Sequence, residues 1–215
     1  LTGYAACVAV SSGEAALAHA ILAAGVKAGD EVIVPAYSPV SVADVVMSLQ
    51  AVPVIVDISD AKLQLSADEV RDAVSDRTRA IIAVHVGGLA VPIDRFSETA
   101  ERFNLAIIEE TIGANPGILN RSRSRRADLL CFRLDANSHF PLNRGGIVCT
   151  TDLELGARIR LQRLPLSPLA ESSPGLRGQG MSQLAAAWEF IQLDTVKERW
   201  RRRCHRRAPS PRPSP

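Results

Sequence analysis

Lysine is nearly missing from this chain. Of its 25 basic residues only Lys27, Lys62 and Lys197 are lysines, so arginine supplies the rest, several of them packed into residues 199–207. The chain therefore offers three side-chain amines for any chemistry that needs one. The four cysteines, Cys7, Cys131, Cys149 and Cys204, show no CxxC spacing, which leaves them as reduced core cysteines of an intracellular protein. No run approaches the ~20 apolar residues of a membrane span. No basic stretch precedes the first apolar segment, so a secretory leader is not indicated and a cytoplasmic location is expected. The net charge of +2 makes no global field to recruit nucleic acid or a membrane surface.

What is present is an ample core, with 47% hydrophobic and 22% charged residues over 215 positions, enough for one large domain. Strand and helix patterns alternate along it. A short strand at 7–10 leads into a helix at 14–26, where Ala15, Ala16, Leu17, Ala20, Ile21 and Ala24 bury one face and Gly25 and Gly29 close the helix. Strand 31–34 ends at Pro35. A helix at 40–49, a strand at 52–58 and a helix at 66–75 with Ser66 as its N-cap follow. Strand 78–86 is broken by Gly87-Gly88; an amphipathic stretch at 93–103 precedes strand 105–109. Two apolar runs, 129–134 and 147–150, flank a polar loop ending in Gly145-Gly146. A helix at 153–164 buries Leu155, Ile159 and Leu161, a Pro/Ser/Gly-rich loop spans 164–180, and 181–203 reads as a long helix. Residues 204–215 read as a disordered, basic, proline-rich tail. Strict alternation predicts an α/β fold with a mostly parallel sheet flanked by helices. Such sheets bind ligands outside the carboxyl ends of their strands, which points to the loop before Gly145-Gly146.

Several segments carry a family likeness in their order and spacing. They are Ser11-Ser12-Gly13-x-Ala15-Ala16-Leu17, Gly29-Asp30-Glu31-Val32-Ile33-Val34-Pro35, Val56-Asp57-Ile58, Arg79-Ala80-Ile81-Ile82-x-Val84-His85, Cys131-Phe132 and Gly145-Gly146. Together they resemble the DegT/StrS family of pyridoxal-phosphate-dependent sugar aminotransferases, over residues 3 to 203. The resemblance implies a fold-type-I large domain, a homodimer, and amino transfer to a nucleotide-linked keto-sugar. Family members are longer, so the chain is expected to be a large domain incomplete at its N-terminus, without the small C-terminal domain.

Position by position, the resemblance implies a changed site. Family chemistry needs a lysine that holds the cofactor as a Schiff base, and gap-free counting puts Ser138 there. Glu110 stands where the family has the aspartate for the cofactor's ring nitrogen, expected just after strand 105–109, and Gly113 stands three residues on. Arg133 replaces the phosphate-contacting serine, Pro39 the aromatic that covers the ring, and Glu14 the threonine of the phosphate cup formed with Ser12 and Gly13. The late Gly-x-Asn-x-Arg-Met motif of the neighbouring subunit's site has become Leu176-Arg177-Gly178-Gln179-Gly180-Met181. A carboxylate at a helix N-terminus competes with phosphate for the same positive end. Ser11-x-x-Glu14 also reads as a capping box that fills the cup with the protein's own atoms.

The leading expectation is a non-catalytic family member that binds pyridoxal phosphate weakly or not at all. An active enzyme is the second reading, either an aminotransferase or a pyridoxamine-phosphate-dependent sugar dehydratase with His139 in the lysine's place. The third is a binding module built on the basic tail, Trp200-Arg201-Arg202-Arg203-Cys204-His205-Arg206-Arg207, although nucleic acid is not an expected partner. His85, in an apolar strand, reads as a satisfied core histidine, and His19 gives no site signal.

Overall fold

Short apolar strands joined by helices put parallel neighbours side by side, because each connection is long enough to return to the same edge. A computed structural model shows this and describes residues 4–59, 64–86, 90–112, 127–134, 145–164, 179–188 and 190–191. In chain order the elements are β1 (Ala6–Val10), α1 (Gly13–Ala23), β2 (Glu31–Pro35), α2 (Val40–Ser48), β3 (Val52–Val56), β4 (Ile58–Ser59), β5 (Gln64–Leu65) and α3 (Ala67–Asp72). Then come β6 (Thr78–Val86), a 3-10 turn (Ile93–Phe96) running into α4 (Ser97–Phe103), β7 (Ala106–Ile112), β8 (Leu129–Arg133), β9 (Gly146–Thr150) and α5 (Leu153–Gln162).

Among the described residues a seven-stranded sheet runs in the order β1-β9-β8-β7-β6-β2-β3. The pairs β2–β3, β2–β6, β6–β7 and β7–β8 are parallel. β9 is antiparallel to both β1 and β8, so it alone is reversed within this sheet. The mostly parallel α/β sheet expected from the sequence is present, and its central strands are buried runs such as β2, with every residue buried.

α1 is packed more deeply than a one-faced helix. Gly13, Ala15 to Ile21 and Ala23 are all buried, because a narrow alanine-rich helix fits between the sheet on one side and α2 and α5 on the others. Ala24 lies outside the helix at its C-cap. The Arg158 guanidinium of α5 donates to Ala23 O at 2.9 Å, placing a cation at the carbonyl end of α1, where the helix dipole favours it. Gly25 (φ +85°) and Gly29 (φ +83°) take the left-handed turns that release the chain into β2.

Some elements differ from the sequence expectation. The strand expected at 52–58 stops at Val56, and Ile58–Ser59 pairs instead with Gln64–Leu65 as a small hairpin. Asp57 causes the break: its side chain accepts the N–H of Ile58 at 2.8 Å and competes with the ladder. Strand 105–109 extends to Ile112. α3 is shorter than 66–75, and Ser66 holds its N-cap position without a side-chain hydrogen bond. In α5 Ile159 is fully buried, whereas Leu161 is exposed and Gln162 takes the inward place. Cys131 and Cys149 are buried as expected, but Cys7, on the edge strand β1, is exposed. The expected helix at 181–203 is seen at 183–188 and 190–191; residues 192–203 and the tail 204–215 lie outside the described residues.

His19 of α1 is fully buried, with the side chain of Gln162 beside its ring. Burial lowers its pKa, Gln162 opposes this, and the charge of Arg163 adds to the lowering. The folded state therefore holds a neutral ring that the unfolded chain protonates near pH ~6.5. Stability from this group is present above that value and falls as the pH drops below it. Urea titrations at pH 7.5 and 5.5 should show the parent losing more stability on acidification than His19→Leu. Equal losses in the two proteins would refute the assignment.

Candidate functional site

The carboxyl ends of β1, β7 and β8 converge on the N-terminus of α1. β1 runs straight into Ser12, the N-cap of α1, whose hydroxyl accepts the N–H of Ala15 at 3.0 Å. The expected capping box therefore shifts by one residue. Ser12, not Ser11, is the cap, which puts Glu14 at the second helical position, too early to complete the box. Glu14 turns outward to a partner on another strand.

That partner is Arg133, the last residue of β8. Its Nη1 lies 2.5 Å from Glu14 Oε1, its Nε 3.8 Å from Glu110 Oε1, and its Nη2 3.4 Å from Ser41 Oγ in the first turn of α2. The aliphatic stem of Arg133 lies against Gly13: a Cβ at position 13 would sit 2.5 Å from Arg133 Cγ and 2.8 Å from its Nε. One arginine thus crosses the α1 N-terminus and links four elements.

The electrostatics are graded by depth. Glu110 is fully buried within β7 rather than following it, opposite Cys131 of β8. Glu14 is partly exposed. Burial pushes its carboxyl up, but a hydrogen bond to its own backbone, the Arg133 charge and hydrogen bonds from Arg133 and Ser12 outweigh this, so its pKa lies below the usual value. Arg133 is the cation between a surface carboxylate and a core one.

Gly146 makes this convergence possible. It opens β9 between Val10 and Arg133, and a Cβ there would lie 2.1 Å from Ser12 O. Only glycine lets β9 pass so close to the turn before α1. Gln179 and Gly180 also stand here: Ser11 N–H donates to Gln179 O at 2.8 Å, and Val10 bridges Gly180. The described part of the late motif, Gln179 to Met181, therefore stands beside the end of β1 in the same chain.

The structure brings together Ser12, Gly13, Glu14, Glu110 and Arg133. Pro39 is half-buried at the N-cap position of α2, two residues before Ser41. Ser138, His139 and Gly113 lie outside the described residues. Two things escaped the sequence reading: Ser41 as a neighbour of Arg133, and the pairing of Arg133 with Glu14. The opposite charges of Glu14 and Arg133, at two positions that the family resemblance sets beside one phosphate, are the signal for that pairing. Nearby, His85 and Glu109 form a buried pair, Nε2 to Oε2 at 2.6 Å, while His85 Nδ1 accepts the N–H of Val91 at 2.9 Å. Accepting at Nδ1 puts the ring proton on Nε2, facing the carboxylate. His85 is the satisfied core histidine the strand pattern implied.

This sheet, with one reversed strand beside β1 and a site at the α1 N-terminus, is that of the aminotransferase large domain. A family model described as the DegT/DnrJ/EryC1/StrS aminotransferase family matches residues 1–208, and the chain belongs to that family. It is 34% identical over 174 residues to the L-glutamine:2-deoxy-scyllo-inosose aminotransferase of Streptomyces lividus, covering 80% of this chain and 41% of that protein. It is 32% identical over 184 residues to the GDP-perosamine synthase of Caulobacter vibrioides, covering 84% and 45%. S. venezuelae DesV, whose crystal structure holds a ketimine intermediate, superposes with a TM-score of 0.76 at 30% identity over 89% of this chain and 53% of DesV. The chain thus spans about half the length of DesV and less than half of these two curated relatives.

The depth of the three charges predicts unequal costs. Glu14→Gln removes a partly exposed partner and should cost at most about 1 kcal/mol. Arg133→Met removes the cation beside a fully buried carboxylate and should cost about 2–3 kcal/mol. Urea unfolding of both variants checks this, and a Glu14→Gln cost equal to or above that of Arg133→Met would contradict it.

Proposed function

We propose that this chain is a non-catalytic member of the sugar aminotransferase family, its cofactor cup filled by its own Arg133–Glu14 ion pair. The observation that carries the reading is the Arg133 side chain lying across the α1 N-terminus, 2.5 Å from Glu14. Family members bind pyridoxal phosphate, and the residues present here do not fit it. A phosphate at this end of α1 needs open N–H groups and an unopposed positive field. Here the stem of Arg133 covers Gly13, and the Glu14 carboxylate stands at the second helical position. The Glu14 carboxylate already answers the positive end of α1 and the Arg133 charge, so a phosphate arriving there would first have to displace it.

Among the described residues the amine is wanting as well. Ser138 holds the lysine position of the family, and a hydroxyl cannot form an imine. Lys27 follows the carboxyl end of α1, an 11-residue helix about 16 Å long, so it lies a helix length from the site. We place the function in the scaffold rather than in turnover, and assign it a homodimer. Leu184, Trp188 and Ile191, spaced four and three apart on the helical stretch after 182, are all more than half exposed. An apolar stripe of this kind is the surface a second copy would cover.

Three measurements test this reading. After incubation with pyridoxal phosphate and borohydride, mass spectrometry should find no stoichiometric phosphopyridoxyl adduct at a unique lysine; one fully modified site would overturn the proposal. Combining Ser138→Lys, Glu14→Thr, Arg133→Ser and Glu110→Asp should tighten pyridoxal phosphate binding at least about tenfold, because the phosphate then no longer has to displace the Glu14 carboxylate from the helix end. Tight binding by the parent, equal to that of the variant, would mean that the site was rebuilt around Arg133. For assembly, light scattering at tens of micromolar should give a dimer or larger species, and a stable monomer would count against the stripe as an interface.

A further inference from the structure

Cys7 and Cys149 stand directly opposite one another in the β1–β9 ladder. Their sulfurs lie 2.7 Å apart, only about 0.7 Å beyond a covalent S–S bond of ~2.05 Å. Opposed residues in an antiparallel pair have Cα atoms about 4.5 or 5.5 Å apart, depending on their place in the ladder. Both spacings fall within the roughly 4.4–6.8 Å that a disulfide bridges, so the backbone need not move. The two thiols differ in access: Cys7 is exposed, and Cys149 is only 1% exposed, packed with Leu130 and Phe132. Cys131 is not a competitor for the bond. It belongs to the cluster on the other face of the sheet with Val8 and Val148, and its register partner in β9 is Val148, not Cys149.

We propose that Cys7 and Cys149 are a modification site, forming a reversible disulfide across β1 and β9 with a small-molecule disulfide as oxidant. The Cys7 thiol gives its proton to water, and its sulfur attacks the reagent. The reagent's S–S bond breaks, one thiolate leaves, and a mixed disulfide remains on Cys7. The Cys149 thiol then loses its proton, its sulfur attacks Cys7 Sγ, and the second thiolate leaves. In sum two cysteine thiols are oxidised, one reagent disulfide is reduced to two thiols, and no other co-reactant is needed. Cys7 reacts first because it meets solvent. The hydrogen bond to Cys7 and burial push the Cys149 thiol far above its ordinary pKa, so the second step is the slow one.

The bond would act on the site without belonging to it. β1 is the sheet's edge strand with β9 as its neighbour, and it leads directly to Ser12 and Gly13. Joining positions 142 apart closes a long loop, the case in which a cross-link restricts the unfolded chain most. Oxidation would hold β1 on β9 and keep Ser12 O against Gly146. The inference is independent of whether a cofactor binds.

The test uses the full chain, reduced, desalted and treated with excess oxidised glutathione near pH 8. Remaining thiols are then alkylated and the protein is digested without reductant for mass spectrometry. A peptide pair joined at Cys7 and Cys149 should be recovered, with a melting temperature raised by about 10 °C and restored by dithiothreitol. Cys204→Ser should retain both effects, and Cys7→Ser, a change at an exposed position that leaves the core intact, should lose both. A stable glutathione adduct on Cys7 with Cys149 still alkylatable would overturn the proposal. So would a bond from Cys7 to Cys131, to Cys204 or to a second copy of the chain.

Discussion

The passage of β9 between β1 and β8 is the constraint on which the site depends. β9 is reversed, and its first residue must clear the carbonyl of Ser12 by a distance that leaves no room for a Cβ. That approach joins the earliest strand of the sheet to a strand more than a hundred residues later. It brings the turn before α1 beside the end of β8, so the side chain at position 133 reaches residue 14. With a larger residue at 146, β1 would have to move outward, and Arg133, Glu14 and Glu110 would no longer meet. The ion pair is thus a consequence of sheet order before it is a matter of charge.

The buried acids are handled by one rule, that a desolvated carboxylate keeps a donor or a cation beside it. Glu31 at the start of β2 meets the Ser75 hydroxyl and the Arg77 guanidinium, both at 2.5 Å. These hold its carboxyl below the usual pKa, Ser75 first among them. Glu109 meets His85. Glu110 has the Arg133 guanidinium at 3.8 Å, a looser contact than the other two, because the same guanidinium also serves Glu14. Arg133 therefore holds a compromise position between core and surface. Arginine suits that position better than lysine, since its fork directs separate N–H groups to separate acceptors.

The sheet is plain in the sequence because its strands are continuous apolar runs between turn residues; the run 78–86 matches β6 to the residue. Most of the misplacements come from polar side chains whose hydrogen-bond partners the apolar pattern does not show, on a neighbouring strand or at the next residue. Glu109, Glu110 and Thr111 look like the end of a strand, yet β7 continues through them because His85 and the Cys131 carbonyl receive Glu109 and Thr111 inside. Asp57 reads as one more strand residue, but its bond to Ile58 ends β3. Cys7 reads as core, and only the strand order reveals that β1 is an edge. At the site, positions 14, 110 and 133 could each be named from the sequence. Their mutual contacts, and Ser41 with them, required the fold.

Glu14 and Arg133 have to be understood as a pair. A carboxylate alone at the α1 N-terminus would satisfy the helix dipole but take the guanidinium away from the fully buried Glu110. An arginine alone would place a cation against the positive end of α1, which the dipole disfavours. Together they neutralise one another, and Glu14 supplies the negative charge that a phosphate brings to a helix N-terminus. The stem of Arg133 meanwhile fills the space above Gly13, which packing would otherwise leave as a void. A cup completed in this way no longer needs a ligand in order to fold.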